Sequence, residues 1–105
     1  MPRREDRQRL TMKVQCRIPD NKWEVSISEI SAGGCRLAVG MFGLPVDQKI
    51  ILSPSGLDSL LGTVKWCADG YAGVEFDKPL HVAIVDYLCR RYPDKDVQIP
   101  FRLAA

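Results

Sequence analysis

Glu29, Ser31 and Gly34 stand as Glu-x-Ser-x-x-Gly within the stretch E-I-S-A-G-G. A carboxylate accepts hydrogen bonds from amino and imino groups, and a serine hydroxyl both donates and accepts. The adjacent glycines, Gly33 and Gly34, permit a sharp turn and close approach of a ligand to bare backbone. Together these residues would form a hydrogen-bonding platform. The plainer alternative is a hairpin turn in which Ser31 closes its own backbone. A second set lies near the N-terminus, where Arg3 and Arg7 are spaced R-x-x-x-R with Arg4 beside them. Guanidinium groups grip phosphates bidentately and stack on flat bases, which lysine does poorly. An arginine-rich arm facing a rim of acceptors suits a small nucleotide.

The residues before the platform explain how it would be presented. Trp23, Val25 and Ile27 share one face of an alternating run, with Glu24, Ser26 and Ser28 on the other. Strict period-2 alternation would put Glu29 on the apolar face and push Ile30 outward. A parity change of this kind predicts a β-bulge or an exit from the ladder.

The charge distribution narrows the ligand. Residues 1–9 hold four arginines against Glu5 and Asp6, while the other 96 residues carry eleven basic and eleven acidic groups. The whole formal excess of +2 therefore sits on one short arm. The body offers no broad basic field for a nucleic-acid backbone, so a small localised anion is the better match. The arm lacks an apolar face and reads as a mobile, solvated segment. His81 is the only histidine, which weakens both a zinc site and a serine–histidine hydrolase. The four cysteines are widely spaced with no C-x-x-C pair, and they read as reduced, mostly buried small apolar groups. No signal peptide and no apolar run near ~20 residues is present, so no membrane span is expected and the cytoplasm is the default location.

The elements that must position these residues are short strands. At 105 residues, with 46% hydrophobic and 27% charged residues, the chain suits one globular domain. Strands are expected over residues 13–18, 23–28, 34–39, 49–53, 60–68 and 71–76. In the fifth, Val64 and Trp66 are expected to point opposite to Thr63 and Lys65. The Asp69-Gly70 pair predicts a type I′ hairpin, because both central residues must accept positive φ. Six short strands with tight connections leave no room for crossover helices and imply an antiparallel sandwich or barrel. One helix is expected over residues 81–92, with Val82, Val85, Leu88, Cys89 and Tyr92 on its apolar stripe and Pro93 ending it. Arg90 and Arg91 complement its C-terminal dipole. Val97, Ile99, Phe101 and Leu103 alternate again, but Pro100 confines that tail to an edge or an extended packing segment. The expected organisation is a single domain over residues 1–105, with an arm at 1–12, a barrel at 13–78, a helix at 80–92 and a tail at 93–105.

The paired motifs, Arg3-x-x-x-Arg7 followed by Glu29-x-Ser31-x-x-Gly34, resemble those of the PilZ domain family. The later stretch G-T-V-K-W-C-A-D-G-Y-A-G-V-E-F resembles the strand pair that closes such domains, so the similarity runs from residue 3 to about residue 92. The resemblance implies a mainly β fold, a six-stranded antiparallel β-barrel with a C-terminal α-helix. It also implies binding of cyclic di-GMP without any cofactor or catalysis. Arg3, Arg4 and Arg7 would then form the clamp on phosphates and guanines, and Glu29, Ser31 and Gly34 the platform for a guanine. Glu29 departs from the Asp or Asn of the family pattern. It would serve as a weakened platform or, alternatively, turn away to pair with Arg36 or an arm arginine and keep the empty arm closed. Arg9 and Arg36 match no motif position. The function expected is a receptor module that switches its interaction with an unidentified downstream protein. Competing with it are a PilZ-like adaptor that binds no nucleotide and a small barrel that binds single-stranded nucleic acid. The last would need exposed aromatics on a basic face, whereas Trp66 and Phe76 follow the apolar pattern. An enzyme finds little support, since no P-loop or G-x-S-x-G occurs.

Overall fold

Six strands and one helix follow in the computed structural model, which describes residues 7–41 and 43–94. They are β1 (Gln8–Ile18), β2 (Asn21–Ile30), β3 (Gly34–Ala38), β4 (Lys49–Ser53), β5 (Leu60–Ala68), β6 (Tyr71–Phe76) and α1 (Val82–Arg91). All neighbouring strands pair antiparallel, in the closed order β1-β2-β3-β6-β5-β4. Three pairs close the barrel between β1 and β4: Gln15 with Ser53, Cys16 with Leu52 and Arg17 with Ile51. Arg3 and Arg4, with the first half of the expected arm, and the alternating tail from residue 95 lie outside the described residues.

Local chemistry sets the hairpins. Asp69 and Gly70 both adopt positive φ, 56° and 86°, as a type I′ turn demands. The two-residue connection at Pro19-Asp20 brings Ile18 opposite Asn21. The core is the inward face of the strands, with Leu10, Cys16, Ile27, Leu37 and Val64 all 0% exposed. Each such aliphatic side chain contributes about 1.5–3 kcal/mol by leaving water. β1 begins at Gln8, five residues before the expected start at Lys13. The reason is that Leu10 and Met12 extend the inward set of Val14 and Cys16, so residues 8–12 belong to the barrel wall and not to an arm.

The helix is capped by His81, whose Nδ1 accepts the Ala83 N–H at 3.0 Å. Val85 and Leu88 face the core, with Cys89 and Tyr92 partly buried beside it. Val82, expected on that stripe, is 64% exposed instead. It occupies the first helical position, three residues before the first buried one, Val85. All four cysteines are free thiols, and burial raises the Cys16 pKa to about 11 and pushes that of Cys35 up further still.

Candidate functional site

Two bulges build the site. Between β2 and β3 the register shifts, so that Ile27 pairs with Leu37 but Glu29 pairs with Arg36, leaving Ser28 as the extra residue. Ser28 and Glu29 therefore both face outward, and Ile30 returns to the core at 0% exposure. The parity break expected at Glu29 is this bulge, and the strand continues through it to Ile30 rather than ending there. A second bulge lies between β5 and β6, where Val64 pairs with Val74 but Trp66 pairs with Gly73. Lys65 is the extra residue, and Trp66 is turned out to 42% exposure. That corrects the expectation that Trp66 points inward with Val64. The alternation on which it rested is interrupted one residue earlier.

Both bulges open on one cavity of about 300 Å³, lined among others by Arg7, Glu29, Ser31, Arg36, Trp66 and Glu75. Gly33, Gly34 and Gly73 form part of its floor. The Trp66 ring lies across Gly73, where any Cβ would overlap the indole nitrogen and its bonded carbons. Glycine at 73 thus seats a broad aromatic ring on the sheet at the cavity wall.

Arg36 is held from three sides. Its Nε–H donates to Ser28 Oγ at 2.9 Å, its guanidinium stacks 4.4 Å from the Tyr71 ring centroid, and its NH1 lies 3.5 Å from Glu29 Oε2. The Ser28 hydroxyl in turn donates to the Arg36 carbonyl at 3.3 Å. Arg7, one residue before β1, approaches Glu29 from the other side, NH1 to Oε1 at 3.8 Å. Glu29 therefore sits between two guanidinium groups, with its side chain 19% exposed and that of Arg7 69% exposed. Across the cavity Lys65 and Glu75 form a further ion pair at 3.7 Å.

Ser31 and Gly34 do structural work where they stand. The Ser31 N–H donates to the Gly34 carbonyl at 2.9 Å, with its hydroxyl 3.4 Å from the same oxygen, so the serine locks the turn between β2 and β3. A Cβ on Gly34 would collide with the Val74 carbonyl of β6, so the glycine there permits close approach of a neighbouring strand. Sequence reasoning anticipated close approach by a ligand at this glycine; the backbone that comes close is the protein's own. Of the six residues expected at the site, Arg7, Glu29, Ser31 and Gly34 line the same cavity, and Arg3 and Arg4 lie outside the described residues. Arg36, which matches no motif position, joins them by pairing with Glu29, and Trp66 was missed. The cue for Arg36 was its place two residues past Gly34 on an outward strand position, but no local pattern marks the bulge at Lys65 that exposes Trp66.

The site is fastened to α1. The Leu80 N–H donates to the Ala32 carbonyl at 2.8 Å, which ties the turn to the residue before the helix cap. Gln8 Nε2 donates to Asp86 Oδ1 at 3.0 Å, the Thr11 N–H donates to the Tyr92 carbonyl at 3.1 Å, and Arg9 pairs with Asp94 at 3.7 Å. The helix is thus joined both to the Glu29–Gly34 turn and to the strand that follows Arg7.

The family model described as PilZ domain matches residues 2–89. Among solved structures, the chain is similar to the Bacillus subtilis inhibitor of motility (MotI/DgrA), with a TM-score of 0.64 and 16% identity. The match covers 87% of this chain and 51% of that one, so the chain spans about half the length of that structure. No curated protein matches.

Proposed function

The chain belongs to the PilZ domain family, and from that premise we propose that it is a receptor for cyclic di-GMP that switches a protein partner and carries out no chemistry of its own. The observation that carries this reading is the convergence of Arg7, Arg36, Glu29 and Trp66 on one cavity, delivered there by the start of β1 and two separate bulges. Each has a part to play toward a guanine nucleotide. Arg7 and Arg36 supply planar, charged donors for phosphate oxygens. Trp66 offers an aromatic face on which a base can stack, a contact worth about 1–3 kcal/mol per base in nucleic-acid complexes. Ser31 and the backbone at Gly34 are the platform side, Glu29 stands between the two guanidiniums, and Arg3 and Arg4 would complete the clamp from the arm. The cavity is at the small end of the range for ligand clefts, ~300–1,000 Å³, which suits one part of a dinucleotide with the rest covered by the arm.

Ligand closure at Arg7 bears directly on α1 through Gln8 and Asp86, and closure on the turn bears on it through Ala32 and Leu80. The outer side of the helix carries the exposed Val82 and Tyr87, the surface from which a partner would sense the change. A cytoplasmic location accords with a nucleotide signal.

A second reading is an adaptor that binds no nucleotide. It is favoured by the same three residues that serve the fold on their own terms: Ser31 locking a turn, Gly34 admitting β6, and Glu29 already paired with two arginines. Calorimetric titration with cyclic di-GMP, with GTP and cyclic AMP as controls, separates the two. Saturable heat with cyclic di-GMP alone is expected; none at millimolar ligand would leave the adaptor.

A further inference from the structure

We infer that Glu29 is a resident competitor for the ligand's anionic groups, occupying the seat between Arg7 and Arg36 in the empty protein; this rests on the receptor reading above. Both carboxylate oxygens are engaged, Oε2 with Arg36 at 3.5 Å and Oε1 with Arg7 at 3.8 Å. The two guanidiniums differ in freedom. Arg36 is pinned by Ser28 and Tyr71, so its charge stays in place whether or not Glu29 is there. Arg7 is largely exposed and can follow either anion. A phosphate entering the cavity meets a fixed cation and a movable one, both already satisfied by an internal carboxylate. To bind, it must displace that carboxylate into water. The extra methylene of Glu over Asp supplies the reach that lets one side chain span both arginines. The bulge at Ser28 aims it there, since regular pairing would bury it in the core.

The consequence is a raised threshold. The seat is fixed at Arg36 and half neutralised in charge, two guanidiniums against one carboxylate, so the chain responds to higher ligand concentrations than the bare arginine pair would. It also makes binding less sensitive to salt, because the carboxylate halves the net positive charge that the two guanidiniums present to a phosphate. A guanine-accepting platform would behave in the opposite way, since removing its charge would weaken binding.

The test is Glu29→Gln, which keeps the shape and removes the charge. Parent and variant are titrated calorimetrically with cyclic di-GMP and, separately, with inorganic pyrophosphate, across a range of salt concentrations. Trp66, at the cavity wall, reports occupancy by its indole N–H resonance, with Trp23 on β2 as the internal reference. Glu29→Gln is expected to bind both ligands about two- to thirty-fold more tightly, the range for losing two partly exposed ion pairs. Its affinity should also fall more steeply with salt than the parent's. In an Arg36→Ala background the gain should shrink. Equal or weaker binding of both ligands by Glu29→Gln overturns the proposal. The receptor reading fails separately: it falls if pyrophosphate binds and tightens in the variant while cyclic di-GMP binds neither protein.

Discussion

Along β4 the side chains alternate without interruption, Ile50 and Leu52 inward and Lys49, Ile51 and Ser53 outward. Strands β2 and β5 each break that alternation once, at Ser28 and at Lys65, and both breaks open on the same cavity. In the regular region a residue's face follows from its parity, and its contribution is burial. In the bulged region one extra residue reverses the parity. Glu29 and Trp66, which alternation would send into the core, are brought to the surface with a polar or aromatic group still attached to a rigid strand. The same device that gives up one ladder pair also returns Ile30 and Cys67 toward the interior, so the core loses little. The barrel thus separates what holds it together from what could recognise a ligand, and substitutions in the two regions should report on different measurements.

The largest expected effect lies in the regular core. Leu37 is 0% exposed, and Leu37→Ala should lower unfolding free energy by about 2–5 kcal/mol in urea denaturation. A smaller loss than 1 kcal/mol would mean that the barrel interior is less tightly packed than its burial implies. At the site, Arg7→Ala should weaken cyclic di-GMP binding about ten-fold or more, since a charge-assisted hydrogen bond contributes ~1.5–3 kcal/mol. Its melting temperature should stay near the parent's, because the side chain is exposed. Unchanged affinity would remove Arg7 from the clamp. Trp66→Ala should cost about 1–3 kcal/mol of affinity if a base stacks there. Gly73→Ala sharpens the point, since its methyl overlaps the seat of the ring and should displace the indole without deleting it. If Trp66→Ala destabilises the fold and spares binding, then the exposed ring belongs to packing and the division between the regions fails.

The smallest effect at neutral pH concerns the thiols inside the regular region. Burial raises Cys16 from the ordinary 9.0 to about 11 and raises Cys35 as well. The folded state therefore holds protons that the unfolded state releases above pH 9. Stability from these groups should be fully present below that pH and decline as pH rises toward about 11. Denaturant melts across that window check it, and a Cys16→Ala, Cys35→Ala double variant should flatten the decline. Alkylation at neutral pH should leave Cys16 and Cys35 unmodified until the protein unfolds.

Much of this was legible in the chain itself, because it depends on neighbours in sequence. Period-2 alternation located six strands, Asp69-Gly70 set its hairpin through the φ its residues tolerate, and the pairing of R-x-x-x-R with Glu-x-Ser-x-x-Gly indicated the family. The parity clash of Glu29 with Ile27 even marked the first bulge. The second carried no such mark, since a tryptophan is as plausible inside a barrel as outside it. What sends Trp66 outward is the register that β5 adopts against β6, and what seats it is the absence of a side chain at Gly73 on the facing strand. In the same way, Arg36 joins the site because β3 lies beside the bulge in β2, and Tyr71 of β6 comes under its guanidinium from more than thirty residues away. Local conformational preference is written residue by residue and can be read from the sequence. Strand register is chosen by the whole barrel closing at once, and only the tertiary structure decided which outward side chains would meet across it.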